Sequence, residues 1–402
     1  MQPPRTEALN PPERLLMGPG PSEVHPRVLR AMSTPLVGHL DPAFIALMND
    51  VQDLLRYTLR TGNRWTIPVS GTGSAAMEAA FANVVRPGDT VLVPTNGYFG
   101  GRMESMARRA GGDVVHVDAP WGRPLDPDDV RAALEAHRPS VFGFVHAETS
   151  TGVLQPEVAA LTAMAHEHGA VVIVDAVTSL GGVELEVDDW KIDVAYSGAQ
   201  KCLSCPPGAS PLTLTDRVFE RIRERTEPAR SWYLDVGLLE GYWGAERSYH
   251  HTAPITNIYG LREALRLVAE EGIEQRWARH RHVAGGLKAG VRAMGLDMLA
   301  EDAWWLPSLN AVTVPDGVDA KRVTRRLLAE HGIEIAGGLG DLAGRIFRIG
   351  CMGHACRPWN VLRLIASLGE ALRAEGADVD VGAGLAGAEE ALSRRVPVEA
   401  AR

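Results

Sequence analysis

Short apolar runs alternate with stretches of helical spacing through the first half of the chain, and this alternation is the strongest constraint on its fold. The apolar runs are RWTIPVS, DTVLVPT, GDVVHVDA, SVFGFVHAE, AVVIVDAV and IDVAYSG. The helical stretches between them are SAAMEAAFANVV, GGRMESMARRAG, PDDVRAALEAH and QPEVAALTAMAHEHG. Runs this rich in Val and Ile suit strands that are buried on both faces of a sheet. The pattern therefore predicts an α/β fold with a mainly parallel, doubly wound sheet.

The pattern changes after about residue 255. The segment that begins TNIYGLREALRLVAEEG predicts one or two long helices that link two bodies. Strand patterns such as SLNAVTVP and RIFRIG then alternate with helices, which predicts a smaller α+β domain. We expect an N-terminal arm and loop (residues 1–20), a large domain (21–265), a small C-terminal domain (266–378) and a loosely held or helical tail (379–402).

Composition and charge restrict the partners and the compartment. The chain has 402 residues and a formal net charge of −9, which argues against nucleic acid or an anionic membrane as its main partner. No apolar run approaches the roughly 20 residues of a membrane span, and MQPPRTEALNPPERLL has no apolar signal core. Four cysteines do not make a disulfide framework in a chain of this length. We therefore expect a protein of the reducing cytosol.

Polar groups follow several of the predicted strands. They are the SGTGS segment (residues 70–74), Ser150, Asp175 and Lys201. Because ligands of open α/β sheets bind beyond the carboxyl ends of the strands, these groups should meet at one rim. Asp175 ends a very apolar strand, where it either caps a loop or faces a cation that compensates its buried charge.

The SGTGS segment predicts an anion site. Gly71 and Gly73 let a ligand approach the backbone, and the N–H groups of the next helix point outward there. One alternative is a tight turn whose Ser merely caps the helix. Another is the dinucleotide fingerprint GxGxxA of an NAD-dependent dehydrogenase. That fingerprint needs an acidic residue at the end of the following strand, and Asp89 lies instead in the turn before it.

Two chemistries compete at Lys201. The stretch AQKCLSCPPG offers either a reactive amine or, through Cys202 and Cys205, a redox or metal half-site. A redox or zinc role needs a second pair of ligands, and Cys351 with Cys356 has the wrong spacing for a standard zinc half-site. Lys201 by itself is also compatible with an ordinary solvated lysine.

Taken together, the polar groups that follow the predicted strands match the requirements of pyridoxal 5'-phosphate. This cofactor needs a lysine that holds its aldehyde as a Schiff base, a carboxylate that keeps its ring nitrogen protonated, and an anion site for its phosphate. Lys201, Asp175 and the SGTGS segment can fill these roles. Arg348 in RIFRIG could bind a substrate carboxylate in a bidentate manner, and Phe99 in NGYFG could stack on the ring.

The sequence resembles the class V (fold type I) aminotransferases, and specifically the alanine/serine–glyoxylate aminotransferase group. The resemblance covers roughly residues 14–375. The motifs that carry it are LLMGPGPSEVHPRVL, NRWTIPVSGTGSAAMEAA, NGYFGGR, HAETSTGVLQP, VDAVTSLGG, YSGAQKCLSCPPG, YHHTAPITNIYGLRE and FRIGCMG. It implies a fold type I large domain that binds pyridoxal phosphate, and amino transfer between small amino acids and 2-oxo acids, with alanine or serine as donor and glyoxylate as acceptor.

The resemblance also implies roles for individual residues. It makes Lys201 the Schiff-base lysine, Asp175 the partner of the pyridine nitrogen, and Ser150 the neighbour of the phenolic oxygen. Phe99 takes the place of the aromatic ring stacker, which is often Trp in relatives. The positions implied around the phosphate are Gly71, Thr72, Gly73 and Gln200, together with Tyr249 and Thr252 of a partner subunit.

The substrate pocket is implied by the same resemblance. Arg348 takes the place of the arginine that binds the substrate carboxylate, and Gly20 belongs to the GPGP loop that lines the pocket. His39 could help to shape it. Because Tyr249 and Thr252 would reach a partner's phosphate, the resemblance implies an obligate homodimer with shared active sites.

Departures from the family patterns narrow the function. Gln200 and Phe99 stand where cysteine desulfurases carry His, so a desulfurase is not expected. The CxxC occupies places where relatives have small residues, so we interpret all four cysteines as packing residues and predict no metal site. Relatives that use (S)-ureidoglycine carry Gln near the position of His39, which favours alanine as donor and leaves ureidoglycine as the alternative. We interpret His250-His251 as structural or phosphate-proximal, and residues 279–282 (RHRH) as a solvated helical face.

Overall fold

The structure is a computed structural model, and it describes residues 3–4 and 6–394. The predicted tail extends to residue 402, so its last part, residues 395–402, lies outside the described residues, as do residues 1, 2 and 5 of the predicted N-terminal arm. The remainder of the arm up to residue 14 has no helix or strand.

The described residues form α-helices and β-strands along the whole chain. The helices are α1 Pro26–Met32, α2 Pro42–Leu59, α3 Gly73–Val84, α4 Tyr98–Ala110, α5 Pro127–His137, α6 Val158–Glu167, α7 Asp216–Arg223, α8 Val236–Trp243, α9 Ile255–Glu271, α10 Ile273–Ala293, α11 Ala320–Glu330, α12 Pro358–Ala374 and α13 Val381–Ser393. The strands are β1 Leu15–Leu16, β2 Trp65–Gly71, β3 Thr90–Thr95, β4 Asp113–Asp118, β5 Val141–Val145, β6 Ala147–Glu148, β7 Val153–Leu154, β8 Val171–Asp175, β9 Val194–Tyr196, β10 Gly208–Leu214, β11 Leu309–Thr313, β12 Ile333–Glu334, β13 Ala336–Gly337 and β14 Ile346–Gly350.

Seven strands form the central sheet, in the order β2-β10-β9-β8-β5-β3-β4. Strands β9, β8, β5, β3 and β4 are parallel, and β10 is antiparallel to both of its neighbours. The predicted α/β fold with a mainly parallel sheet is therefore confirmed. The parallel strands end at one edge, and this edge carries the polar residues selected from the sequence.

Apolar side chains cover both faces of this sheet. In β8, Val172 and Val174 pack into one core while Val171 and Ile173 pack into another. Alternate side chains of a strand point to opposite faces, so two cores flanking one strand require layers of helices on both sides. The exception is β4, which was expected to be buried: it is the edge strand, and its side chains are half-buried or exposed.

Strand β10 was not anticipated from the sequence. It contains Pro211, which lacks the N–H group that a central strand normally donates, so the segment resembled a loop. In the sheet Pro211 lies opposite Pro68 of β2, and the Pro211 carbonyl accepts a hydrogen bond of 2.8 Å from the Ser197 N–H. The N and carbonyl of a residue in an antiparallel strand point to the same neighbour, so the missing donor faces Ser197, just beyond the end of β9.

The long helical segment after residue 255 is two helices, α9 and α10. They separate at Gly272, whose φ of +85° is a conformation that glycine adopts without strain. Beyond them, the antiparallel sheet β11-β14-β13 shares a core with α10, α11 and α12. Helix α13 packs against α10 and α12, so the described part of the predicted tail is helical. The proposed domain limits remain predictions.

Within residues 3–4 and 6–394, no helix has both the length and the apolar character that a membrane crossing demands.

Candidate active site

Lys201 lies in the loop that follows β9, and its side chain is 9% exposed. Its Nζ donates a hydrogen bond to the carbonyl oxygen of Pro19. A Cβ atom on Gly20 would lie 2.7 Å from both Cδ and Nζ of Lys201, so position 20 must be glycine for this loop to approach the amine. The GPGP loop and the lysine, selected separately from the sequence, are therefore in direct contact.

Burial changes the acidity of this amine. The loss of solvation lowers the pKa of Lys201 to about 8, and the nearby Arg348 and Arg102 guanidiniums act in the same direction. The charges of Asp175 and Cys202 oppose the shift. Because the pKa is lowered, a large fraction of the amine is neutral, and therefore nucleophilic, at mildly alkaline pH.

We expect the rate at which an aldehyde attaches to Lys201 to reflect this pKa. In the cofactor-free protein, the second-order rate constant for attachment of pyridoxal should rise with pH and level off above about pH 8. A lysine with the ordinary pKa of 10.5 would instead show a rate that continues to rise up to about that pH. Stopped-flow visible absorbance measures this rate. An inflection near 10 would contradict the buried environment of the amine, and the Lys201→Ala protein provides the blank.

Asp175 ends β8 and lies among the residues that face Lys201. Its Oδ1 accepts a hydrogen bond of 2.8 Å from the Val177 N–H, and its Oδ2 accepts one of 2.9 Å from the Tyr196 hydroxyl. Burial raises the pKa of Asp175 to about 6, while these hydrogen bonds and Lys201 oppose the rise. The carboxylate is thus buried and held in one orientation: it accepts from the loop residue Val177, as the loop-capping alternative expects, and the Lys201 charge also stabilises it.

A second buried carboxylate, Glu148, was not selected from the sequence. It accepts hydrogen bonds from the Ser150 N–H (2.9 Å), the Ser150 hydroxyl (2.6 Å) and the Phe99 N–H (3.2 Å). Burial raises the pKa of Glu148 to about 7, and the charge of Asp175 adds to this. One carboxylate therefore ties together the two loops that carry Ser150 and Phe99. Its position at the end of an apolar run is the same signal that selected Asp175.

The anion site predicted at SGTGS has the expected local geometry. Gly71 is the last residue of β2, Thr72 is the N-cap of α3, and Gly73 is its first residue. The N-cap is Thr72 and not a Ser, and the Thr72 side chain makes no capping hydrogen bond, so the Ser cap of the simple-turn alternative is not observed at this helix. The first N–H groups of a helix have no partner within the helix, and they favour an anion.

Gln200 lies next to this helix terminus. The Cα of Gly198 is 3.5 Å from the point where a Gly73 side chain would begin, and a Cβ on Gly198 would lie 2.8 Å from the Gln200 Oε1. That Oε1 atom is buried and has no hydrogen-bond partner in the described protein. A buried amide oxygen of this kind is expected to accept from a donor, and the NH2 group of the same side chain is the part that can donate to an anion.

Arg348 belongs to the three-stranded antiparallel sheet β11-β14-β13. It lies in the middle of β14, paired with Ala311 of β11 and Ala336 of β13. Its side chain is buried, its Nε donates a 2.7 Å hydrogen bond to the Gly337 carbonyl, and burial lowers its pKa. Electrostatic coupling to Lys201 places its charge near the amine.

Helix α10 contacts the loop that contains Lys201. The buried Arg276 donates from Nη2 to the Cys202 carbonyl (2.6 Å) and from Nε to the Gly181 carbonyl (3.1 Å). Its Nη1 pairs with Glu271 at 2.7 Å. The residue after Lys201 is therefore anchored to a helix that lies far from it in the sequence.

The same helix holds the turn that follows Arg348. Arg279 donates to the carbonyls of Gly353 (3.0 Å) and Cys356 (2.9 Å), and the Nε2 of His280 accepts a 2.9 Å hydrogen bond from the Gly353 N–H. The interpretation of residues 279–282 as a solvated face is therefore wrong for Arg279 and His280. Sequence periodicity gave no signal of these partners, because they lie about 74 residues away.

Tyr249, Thr252 and His39 form a separate group. Tyr249 is 63% exposed, Thr252 is also exposed, and the ring centroid of Tyr249 lies 5.3 Å from that of His39. The His39 carbonyl accepts a 3.0 Å hydrogen bond from Tyr242. Within the described chain these contacts place His39 with Tyr249 and not with Lys201.

The histidines beside Tyr249 connect this group to the anion site. The Nε2 of His251 lies 2.7 Å from the Oγ of Ser70, and the Nδ1 atoms of His250 and His251 lie 2.8 Å apart. His250 also stacks on Trp232, with ring centroids 4.4 Å apart. These contacts agree with the structural, phosphate-proximal interpretation of the pair.

The cysteines are packing residues. All four are free thiols with buried side chains, and burial raises the pKa of Cys202 and Cys205 to about 12. A thiol with a raised pKa is a poor nucleophile and a poor metal ligand. Among residues 3–4 and 6–394 no cluster of three or more His, Cys, Asp or Glu side chains is arranged to hold a metal ion.

Comparison with known proteins identifies the family. Residues 16–352 match the family described as Aminotransferase class-V. The solved alanine–glyoxylate aminotransferase of Nostoc sp. is 51% identical, with a TM-score of 0.91 over 92% of this chain and 98% of that one. The ureidoglycine–glyoxylate aminotransferase structure from Bacillus subtilis is 44% identical, with a TM-score of 0.94 over 96% of this chain and 100% of the other.

A third relative extends the comparison beyond bacteria. The alanine–glyoxylate aminotransferase of Drosophila melanogaster is 39% identical, over 90% of this chain and 93% of its own length. A family match over most of the chain, and relatives this similar over nine-tenths of it, agree with the lysine and carboxylate found at the sheet edge. The chain belongs to the class-V aminotransferases.

Proposed function

We propose that this aminotransferase moves the amino group of a small amino acid, alanine or else serine, to glyoxylate, yielding glycine and a 2-oxo acid. The observation that carries the proposal is the burial of a lysine, Lys201, and a carboxylate, Asp175, after neighbouring strands of the central sheet, with Arg348 also buried on β14. The relatives' names support glyoxylate as acceptor, since the Nostoc, Bacillus and Drosophila proteins all carry it. Because the chain belongs to the class-V aminotransferases, we no longer consider the NAD-dependent dehydrogenase alternative.

The amino donor has one specific alternative. The Bacillus subtilis relative is named for ureidoglycine, so (S)-ureidoglycine is the second candidate for this chain. The resemblance gives Gln near the position of His39 in relatives that use (S)-ureidoglycine, and His39 therefore favours alanine or serine in this chain.

The family implies pyridoxal 5'-phosphate, and the residues present fit it. Lys201 would hold the aldehyde, Asp175 would face the pyridine nitrogen, and the N–H groups at the α3 terminus, with the side-chain NH2 group of Gln200, would hold the phosphate. Ser150 and Phe99, joined through Glu148, would contact the phenolic oxygen and the ring face. When bound, the cofactor supplies an electron sink that stabilises a carbanion at the substrate α-carbon.

The protein's own task is to move a proton and to hold the substrate. With the cofactor bound, the Lys201 amine would take the proton from the substrate α-carbon and deliver it to the carbon that had carried the cofactor aldehyde, for which a pKa of about 8 is well placed. Asp175, oriented by Val177 and Tyr196, would place its negative charge beside the ring nitrogen of the bound cofactor. Glu148 holds the loops of Phe99 and Ser150 together, so these two residues would meet the cofactor in a fixed arrangement.

Arg348 gives a prediction for substrate binding. Replacing it with Ala removes a charge-assisted contact to the substrate carboxylate, so kcat/KM should fall about 10- to 100-fold, mainly through KM. Steady-state kinetics with alanine and glyoxylate measure the change. Arg345→Ala, an exposed arginine three residues earlier, is the matched control and should leave KM unchanged. An unaltered KM in the Arg348 variant would remove this residue from the substrate site.

We further propose a homodimer whose active sites are shared. Tyr249 and Thr252 are exposed on their own protomer, and the neighbouring Trp232 and Tyr233 are exposed aromatic residues. Exposed aromatic clusters are typical of protein interfaces. In the proposed dimer, Tyr249 and Thr252 reach the phosphate of the partner subunit, and His39 shapes the partner's substrate pocket. Sedimentation equilibrium should give twice the 43.3 kDa mass of the chain.

The compartment we propose is the cytosol. All four cysteines are free thiols in the described structure, as expected for a protein kept in reducing conditions. Fractionation of cells that express the protein, with a cytosolic marker, tests this assignment.

A donor and acceptor panel tests the function. Alanine, serine and (S)-ureidoglycine are each combined with glyoxylate and with pyruvate, and the new amino acid is quantified by chromatography. We expect the largest kcat/KM for alanine with glyoxylate. A clear preference for (S)-ureidoglycine would move the protein to the second candidate, and no transfer with any pair would overturn the proposal.

A further inference from the structure

Arg102 occupies a position between the predicted ring stacker and the anion site. It lies on α4, three residues after Phe99, and its guanidinium carbon is 4.9 Å from the centroid of the Phe99 ring. Its Nη1 is 3.4 Å from the hydroxyl of Ser74, the second residue of α3. One side chain therefore connects the two elements that would hold the ring and the phosphate.

The charge of Arg102 is not compensated by the protein around it. Within the described residues, no Asp or Glu oxygen lies within 4.0 Å of its guanidinium, whereas Arg108 on the same helix is paired with Glu104 at 3.0 Å. The charge instead lies at the N-terminus of α3, whose dipole is also positive. Two positive groups directed at one place are stabilised when an anion lies between them.

The guanidinium also acts on the buried groups of the site. Its charge contributes to a lower pKa at Asp175 and at Lys201, so it lies within electrostatic reach of both. It is half-buried, where a charge interacts more strongly than it does in open solvent.

We propose that Arg102 is a further ligand of the cofactor phosphate, acting together with the N–H groups at the start of α3. This inference rests on the proposed function, because it requires pyridoxal phosphate as the cofactor. Guanidinium suits a phosphate dianion through parallel N–H donors and a charge that is retained at all relevant pH values. Neither the sequence motifs nor the family pattern had selected Arg102 for any role.

A rival role for Arg102 is purely structural. Stacked on Phe99, it could hold the aromatic ring in place by a cation–π contact without touching the ligand. The two roles differ in one measurable respect. A phosphate ligand matters only for a cofactor that has a phosphate, whereas a support for Phe99 matters equally for pyridoxal, which lacks it.

The test compares pyridoxal 5'-phosphate with pyridoxal on the full-length protein after its cofactor has been removed. Equilibrium dissociation constants are measured by visible absorbance for wild type, Arg102→Met and Arg102→Lys. Met keeps the length and apolar character of the side chain but removes its charge, and Lys restores the charge without the fork of donors. Arg109→Met, exposed two turns further along α4, is the matched control for loss of one positive charge.

We expect Arg102→Met to raise the dissociation constant of pyridoxal 5'-phosphate about 10- to 100-fold, and that of pyridoxal less than about twofold. The dissociation constant of pyridoxal 5'-phosphate for Arg102→Lys should lie between those of Arg102→Met and wild type. The constant for Arg109→Met should equal that of wild type. Equal weakening for both ligands would assign Arg102 to Phe99 alone, and no weakening for either would overturn the inference. If wild type bound neither ligand, the proposed function itself would fail.

Discussion

Lys201→Ala should reduce transamination at least about 10³-fold, because it removes both the covalent anchor of the cofactor and the group that moves the substrate proton. The variant should also lose the visible absorbance that arises when the lysine amine is joined to the cofactor aldehyde. The side chain is buried against Pro19 and Gly20, so truncation leaves the surrounding backbone contacts in place. Kinetics and absorbance spectra of the purified variant measure the two effects.

The control for this experiment is Lys321→Ala. Lys321 is exposed on α11, so its loss should leave both readouts unchanged. Reduction of wild type with borohydride, followed by peptide mapping, should label Lys201 alone among the lysines. A labelled peptide elsewhere in the chain, or wild-type absorbance in the Lys201 variant, would refute the assignment.

Asp175→Asn should lower kcat about 10²- to 10³-fold while leaving the cofactor attached. Asparagine can still accept the hydrogen bond from the Val177 N–H, so the change is mainly the loss of one negative charge. Without this charge, the ring nitrogen is no longer kept protonated and carbanion stabilisation is reduced. Single-turnover kinetics separate this chemical step from substrate binding.

Two companion variants make the Asp175 result specific. Tyr196→Phe removes only the 2.9 Å hydrogen bond to the carboxylate and should produce a smaller decrease in kcat. Asp189→Asn changes an exposed carboxylate and should have no effect. A wild-type kcat in Asp175→Asn would show that the carboxylate is not coupled to the reaction.

Local patterns in the sequence were sufficient for the framework of the fold. Alternation of apolar and helical segments depends on which face of each element is buried, and it predicted β2, β3, β5 and β8 together with α3 to α6. It failed for β10, because Pro211 argues against a central strand, and only the fold shows that its missing N–H faces Ser197 just beyond the end of β9. It also assigned β4 to the interior, since a strand's composition does not reveal that it will lie at the edge of the sheet.

The candidate site likewise has features that the sequence predicted and features that only the structure revealed. Parallel strands end at one edge, so the sequence by itself determined that Asp175, Lys201 and residues 70–74 would meet there. Only the tertiary structure decided how they are held: Glu148 joins the loops of Phe99 and Ser150, and α10 anchors the Lys201 loop. The reason is physical. Periodicity records the burial of a residue within its own element, whereas a buried ion or hydrogen bond depends on partners that folding brings from distant parts of the chain.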